Sequence, residues 1–140
     1  MSLLFRKIRS MSTSYIIKIE EFAQSHYIKN FSKKYKNFWD ITIRGILLEL
    51  EHFDEFVKTD HIDLISCCES IVIFKSDFRI AGTKFSRKAS GNRYIMSLDK
   101  SKNELKILLM YHKNDIGNKN ETAAWKKMIK ENYRDYNFLR

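Results

Sequence analysis

Six cations, Lys75, Arg79, Lys84, Arg87, Lys88 and Arg93, fall between residues 75 and 93 against a single acid, Asp77. Guanidinium forks and ammonium groups at that density hold phosphate oxygens well. Phe85, among them, offers a ring on which a base can stack. Gly82 and Gly91 let the backbone turn at either end of the loop carrying the middle cations. Farther along, Tyr111, His112, Lys113, Asn114 and Asp115 follow directly on an apolar run. There His112 could transfer a proton, with Tyr111 and Lys113 as donors. A plainer role also fits both groups: charges on a solvated face, and polar residues that end a strand.

Other chemistries find little support. His26, His52 and His61 have no metal-ligand spacing with one another or with Cys67 and Cys68, so no metal is expected. There is no phosphate-binding glycine motif, nucleophile elbow or paired-carboxylate constellation, and no cofactor is expected. Adjacent cysteines close a bridge only through a strained ring. Cys67 and Cys68 are therefore expected as core packing ahead of a strand, in a reducing cytoplasm.

The whole chain carries the same bias. Lys and Arg total 26 against 17 Asp and Glu, a formal charge of +9 over 140 residues. Such a field gathers polyanions. It does not by itself choose among nucleic acid, anionic lipid and an acidic protein, and the interleaving of cations with Phe85 favours RNA. No apolar run is long enough to span a bilayer, so no membrane role is expected.

These residues need elements to place them. Residues 15–20 put Tyr15, Ile17 and Ile19 on one side at period two, a half-buried strand. From Glu21 the period changes, and Ala23, Tyr27, Phe31 and Tyr35 make one stripe of a helix. A second stripe, Trp39, Ile43, Ile46, Leu47, Leu50, Phe53 and Val57, predicts a helical hairpin, with Gly45 marking a close contact between helices. Residues 71–80 set Val72, Phe74, Phe78 and Ile80 opposite Lys75, Asp77 and Arg79, while 91–98 set Tyr94, Met96 and Leu98 opposite Arg93, Ile95 and Ser97. Residues 104–111 are apolar on nearly both faces, as in a central strand. Asn118 or Asn120 can cap a last helix with the stripe Trp125, Met128, Ile129, Tyr133 and Tyr136. The expected fold is α+β: strand, helical hairpin, three-stranded antiparallel meander and C-terminal helix. Residues 14–140 form one domain behind a flexible basic leader, 1–13. The hairpin covers one face of the sheet, and Lys75, Arg79 and Arg93 share the face left open.

This order, with FKSDFRI, SGNRYIMSLD and ELKILLMYHKND in sequence, resembles the RelE/ParE superfamily of toxins from toxin-antitoxin pairs. The likeness runs over about residues 14–136 and is closest at Ser90, Gly91 and Arg93, which match a small-Gly-x-Arg entry to a strand. Lys113 sits where members often carry a lysine. The resemblance implies a metal-independent, ribosome-dependent mRNA endoribonuclease in which the RNA 2′-hydroxyl is the nucleophile. Arg93 would clamp the phosphate, Lys75, Arg79 and Lys84 would stabilise developing charge, and His112 or Lys113 would move the proton. Arg87, Lys88 and Phe85 would extend the RNA surface. It also implies a small antitoxin protein as partner. Asn114 stands where an arginine is common, and the C-terminus carries no obvious Tyr or His in catalytic register. ParE-like members inhibit gyrase, so a gyrase inhibitor or a non-catalytic RNA-binding module on the same scaffold are the alternative readings.

Overall fold

The computed structural model describes residues 14–116 and 120–139; the expected leader over 1–13, and Asn118, lie outside the described residues. Strand β1 (Ile16–Ile19) leads into a long helix, α1. It is α-helical over Glu21–Ala23, widens to a π-turn over Gln24–Ile28 and is α-helical again over Lys29–Tyr35. Lys36, at φ 51°, turns the chain into α2 (Asn37–Glu51), and the one-turn helix α3 (Phe53–Phe56) ends the hairpin. Strands β2 (Ile62–Cys68), β3 (Ile71–Phe78), β4 (Asn92–Asp99) and β5 (Glu104–His112) follow, then α4 (Glu121–Asn132).

The strands form one five-stranded sheet in the order β1-β5-β4-β3-β2. β2 to β5 run as an antiparallel meander, and β1 lies parallel to β5 at one edge. Alternation along the strands gives the sheet two apolar faces. On one, Phe74, Phe78, Tyr94, Met96 and Ile107 pack against Phe31 of α1 and Trp39, Ile46 and Leu50 of α2. Phe31 stacks on Trp39 at 5.0 Å between ring centroids, and both rings meet Phe78 edge-on. Each such side chain contributes roughly 1.5–3 kcal/mol by leaving water.

On the opposite face Ile73, Ile95, Leu108, Leu109 and Tyr111 are covered by Trp125 and Ile129 of α4 and by Tyr136 and Leu139 beyond it. Asn120 caps α4, its Oδ1 accepting from the Ala123 N–H at 3.1 Å. The face expected to be open is thus roofed by the C-terminal helix. The reason is that Trp125 and Ile129 lie one turn apart and need an apolar surface, which Ile73, Ile95 and Leu109 supply.

Three further expectations are corrected. The strand β2 was not legible: Leu64 points to solvent and a bulge between Leu64 and Ser66 breaks the period of two. Cys67 and Cys68 lie on that edge strand and are exposed, not packed in the core. The second helical stripe is not one helix, since the chain breaks at His52, and a Cβ at Gly45 would meet nothing within 4 Å, so no close helix contact forms there. Among the described residues, no helix is long and apolar enough to cross a membrane.

Candidate functional site

The residues singled out for chemistry gather at the end of the sheet where β4 begins and β5 finishes, but on both of its faces. Asn92 pairs with His112, and Arg93 with Tyr111. Neighbouring residues on a strand point to opposite sides. His112 therefore faces α1, whereas Arg93 faces α4. The expectation that His112 would stand beside the Arg93 guanidinium does not hold, although their strands are neighbours.

On the α4 side, one carboxylate is the hub. Glu121, in the first turn of α4, places Oε2 at 2.7 Å from the Tyr111 hydroxyl that donates to it, 2.9 Å from Arg93 Nε and 3.4 Å from Lys75 Nζ. Asp77 adds a second acid, with Oδ1 at 3.5 Å from Arg93 Nε. Burial first, then the hydrogen bond to Glu121 and its charge, push the Tyr111 hydroxyl far above its ordinary range, so it stays a donor. Arg93 has only 16% of its side chain exposed; its Nε lies within ion-pair distance of both acids without hydrogen-bonding either, and its Nη1 is buried without a partner. Lys75 and Arg93 do share a face, as expected; they are neutralised there by Asp77 and Glu121.

On the α1 side lies an open cleft of about 720 Å³ between α1, the loop joining β3 to β4, and the ends of β4 and β5. His112 sits at its floor. Its Nδ1 accepts the backbone N–H of Asn114 at 3.1 Å, which leaves Nε2 as the donor, on the side of the ring that lies against Gly91. Gly91 makes the room: its φ is +77°, and a Cβ there would stand 2.8 Å from His112 Nε2. Ser90 locks the approach to this glycine, donating from Oγ to the Phe78 carbonyl and accepting from the Asn92 N–H. Asn92 is buried beside His112, and its Oδ1 has no hydrogen-bond partner. Above them stand Tyr27, Asn30 and Lys34 of α1 and Phe85 of the loop, the last 61% exposed. Asp115 is the one acid lining the cleft. Burial, and then the Asp115 charge, raise the Tyr27 hydroxyl above its ordinary value.

The remaining cations divide. Lys84 and Lys88 are exposed on the loop whose Thr83, Phe85 and Ser90 line the cleft, and Lys113 is exposed just past His112. Among the described residues these three form no ion pair. Arg79 is exposed and donates from Nη1 to the Thr83 carbonyl at 2.9 Å, bracing the loop. Arg87 turns inward. It bonds Glu49 Oε2 at 2.7 Å, the Asp77 carbonyl at 2.8 Å and the Ser76 hydroxyl at 3.3 Å, and lies over the Phe56 ring. With those donors committed inside the chain, Arg87 ties α2 and α3 to the sheet and does not extend the cationic surface.

Three residues were missed by reasoning from sequence. Asn92 and Lys34 reach the cleft from residues that read as a strand start and a solvated helix face. Nothing in the sequence singles out Glu121, because an acid in the first turn of a helix is already explained by the helix dipole.

No family model and no curated protein matches this sequence. Among solved structures, the chain is similar to a chain of the archaeal RelE–RelB complex from Pyrococcus horikoshii, at 14% identity and a TM-score of 0.50. The match covers 71% of this chain and 96% of that one. At that identity the likeness is one of architecture, and this chain has a RelE-like fold.

Proposed function

We propose that this protein is the toxin of a toxin-antitoxin pair and cleaves mRNA on the ribosome without a metal, using the cleft beneath α1. The observation that carries this reading is that His112, with Nε2 as its donor, and its cross-strand neighbour Asn92, whose buried Oδ1 has no partner, line one cleft with an exposed aromatic ring and a lysine. Asn92 accepts a hydrogen bond from the ribose or a base edge, Phe85 stacks a base, and Lys34, Lys84 and Lys113 hold backbone phosphates. The 2′-hydroxyl oxygen attacks the adjacent phosphorus and the bond from phosphorus to the 5′-oxygen breaks, leaving a 2′,3′-cyclic phosphate. Asp115 accepts the 2′-hydroxyl proton, the departing 5′-oxygen takes a proton from water, and His112, hydrogen-bonding through Nε2–H, stabilises the charge that develops on it.

The RelE-like fold supports the reading. So does the relative in Pyrococcus horikoshii, which is a RelE bound to RelB, and by the same likeness a small antitoxin protein is the partner proposed here. An acidic segment of that partner covers the unpaired cations around the cleft.

Induced expression in a bacterial host should arrest growth and give discrete cuts within codons by primer extension on cellular mRNA. His112→Ala should lower cutting by roughly 100-fold or more, the usual loss when a donor to developing charge is removed. Its urea midpoint should stay unchanged. Cuts that persist at wild-type level in His112→Ala would place the chemistry elsewhere, and arrest without any cuts would remove the nuclease reading.

A further inference from the structure

The pocket formed by Lys75, Arg93 and Tyr111 has the donors of an anion site, and a side chain of this same chain occupies it. Three donors from three adjacent strands converge on one oxygen, Glu121 Oε2. A carboxylate presents two oxygens in one plane. Here Arg93 Nε makes an ion-pair contact but no hydrogen bond and Nη1 is buried without a partner, although an Arg–carboxylate pair can satisfy two guanidinium nitrogens at once. A tetrahedral phosphate, with its oxygens spread in three dimensions, can reach donors that the carboxylate does not. Nor does exchange require the roof to lift. Glu121 stands in the first turn of α4 with 22% of its side chain exposed, so rotation about its own χ angles withdraws the carboxylate while Trp125 and Ile129 stay packed.

We propose that Glu121 is a built-in competitor for a phosphate site, and that a phosphate group binds by displacing its carboxylate from Lys75, Arg93 and Tyr111. With Glu121 in place, two cations face two acids, Asp77 and Glu121. With it withdrawn, the pocket carries one net positive charge and three free donors. The ligand chemistry is a phosphate, either a phosphodiester of an RNA strand passing round the end of β4 or inorganic phosphate. The RNA source rests on the function proposed above; the anion site itself does not.

The test uses the full chain with two probes, inorganic phosphate and a short single-stranded RNA. Glu121→Gln keeps size and hydrogen bonding but removes the charge, and it should bind inorganic phosphate about tenfold more tightly than wild type, the order expected for charge-assisted bonds freed from a competitor. Glu131→Gln makes the same change of charge on an exposed part of the same helix and should alter affinity by less than about twofold. Adding Arg93→Gln to Glu121→Gln should abolish the gain. Equal tightening by Glu121→Gln and Glu131→Gln, or a gain that survives loss of Arg93, overturns the proposal. The wild-type chain gives a second readout: saturating phosphate should shift the Arg93 Nε–H proton resonance, while chloride at the same ionic strength should not. An unmoved resonance also overturns it. If phosphate binds and RNA gains nothing from Glu121→Gln, the site stands with free phosphate as ligand. Cutting lost in His112→Ala but unaffected by phosphate or by Glu121→Gln would leave the nuclease reading standing without this site.

Discussion

Gly91 and Arg87 show how much a single side chain, or its absence, decides at this end of the sheet. Gly91 sits at a backbone angle that costs an L-residue roughly 1–2 kcal/mol, and its missing Cβ is the space the His112 ring uses. Gly91→Ala should therefore lower the urea midpoint by about that free energy, and should also cost cleavage beyond what the stability loss explains, because the imidazole must move. A variant as stable and as active as wild type would show that the ring is not seated by this residue. Arg87→Ala is the contrasting case. It strips Glu49 of its partner in a half-buried setting and leaves the Ser76 hydroxyl and Asp77 carbonyl short of a donor, a loss of about 2 kcal/mol once solvent screening is allowed for. Its affinity for RNA should fall no more than that of any exposed Lys→Ala variant. A large specific loss of RNA affinity without loss of stability would return Arg87 to the binding surface.

At the level of elements, the edge pair of β1 and β5 is held by charge as well as by its ladder. Glu104 at the start of β5 meets Lys18 of β1 at 3.0 Å and Lys106 at 3.3 Å. The bond to Lys18 first, with help from Lys106, holds the Glu104 carboxyl below its ordinary range. A carboxyl with a depressed folded-state value stabilises the protein above its unfolded value, and that contribution is lost as pH falls through the lower folded one. Protection factors for hydrogen exchange in residues 16–19 should therefore fall between neutral pH and about pH 3 more in wild type than in Glu104→Gln. Identical pH dependence in the two chains would dismiss the pair as a clasp. Most of these elements were legible in the sequence, since the alternation at residues 71–78 and 92–98 and the stripes of Phe31 and Trp39 are strong. The site was less so, for a reason found in β5. Counting back from the turn, where Asp99 pairs with Glu104 and Met96 with Ile107, would set Arg93 opposite Met110 and put His112 on the Arg93 face. One extra residue, Leu108, shifts the register so that Ile95 meets Leu109, and that single bulge carries His112 to the other side. No periodicity in an all-apolar run reveals which residue is the extra one.

For the whole molecule, the net charge of +9 is distributed with more economy than the sequence suggests. Cations close to the sheet are matched by acids, as at Arg93, Lys75 and Arg87, while Lys34 lines the cleft and Lys84, Lys88 and Lys113 are exposed on the segments around it. Composition announced the bias and not that division, because pairing depends on residues such as Glu49 and Glu121 that are distant in the chain. The parallel pairing of β1 with β5 bears on the timing of synthesis. Residues 16–19 emerge early from the ribosome, yet their ladder partner is residues 104–107. Closing so long a loop is slow, and it cannot begin until the fifth strand has left the exit tunnel. The cleft needs that same strand to deliver His112. A nascent chain therefore has neither the completed sheet nor the cleft until residues 104–112 have been made, and the first apolar strand waits meanwhile for whichever surface reaches it first.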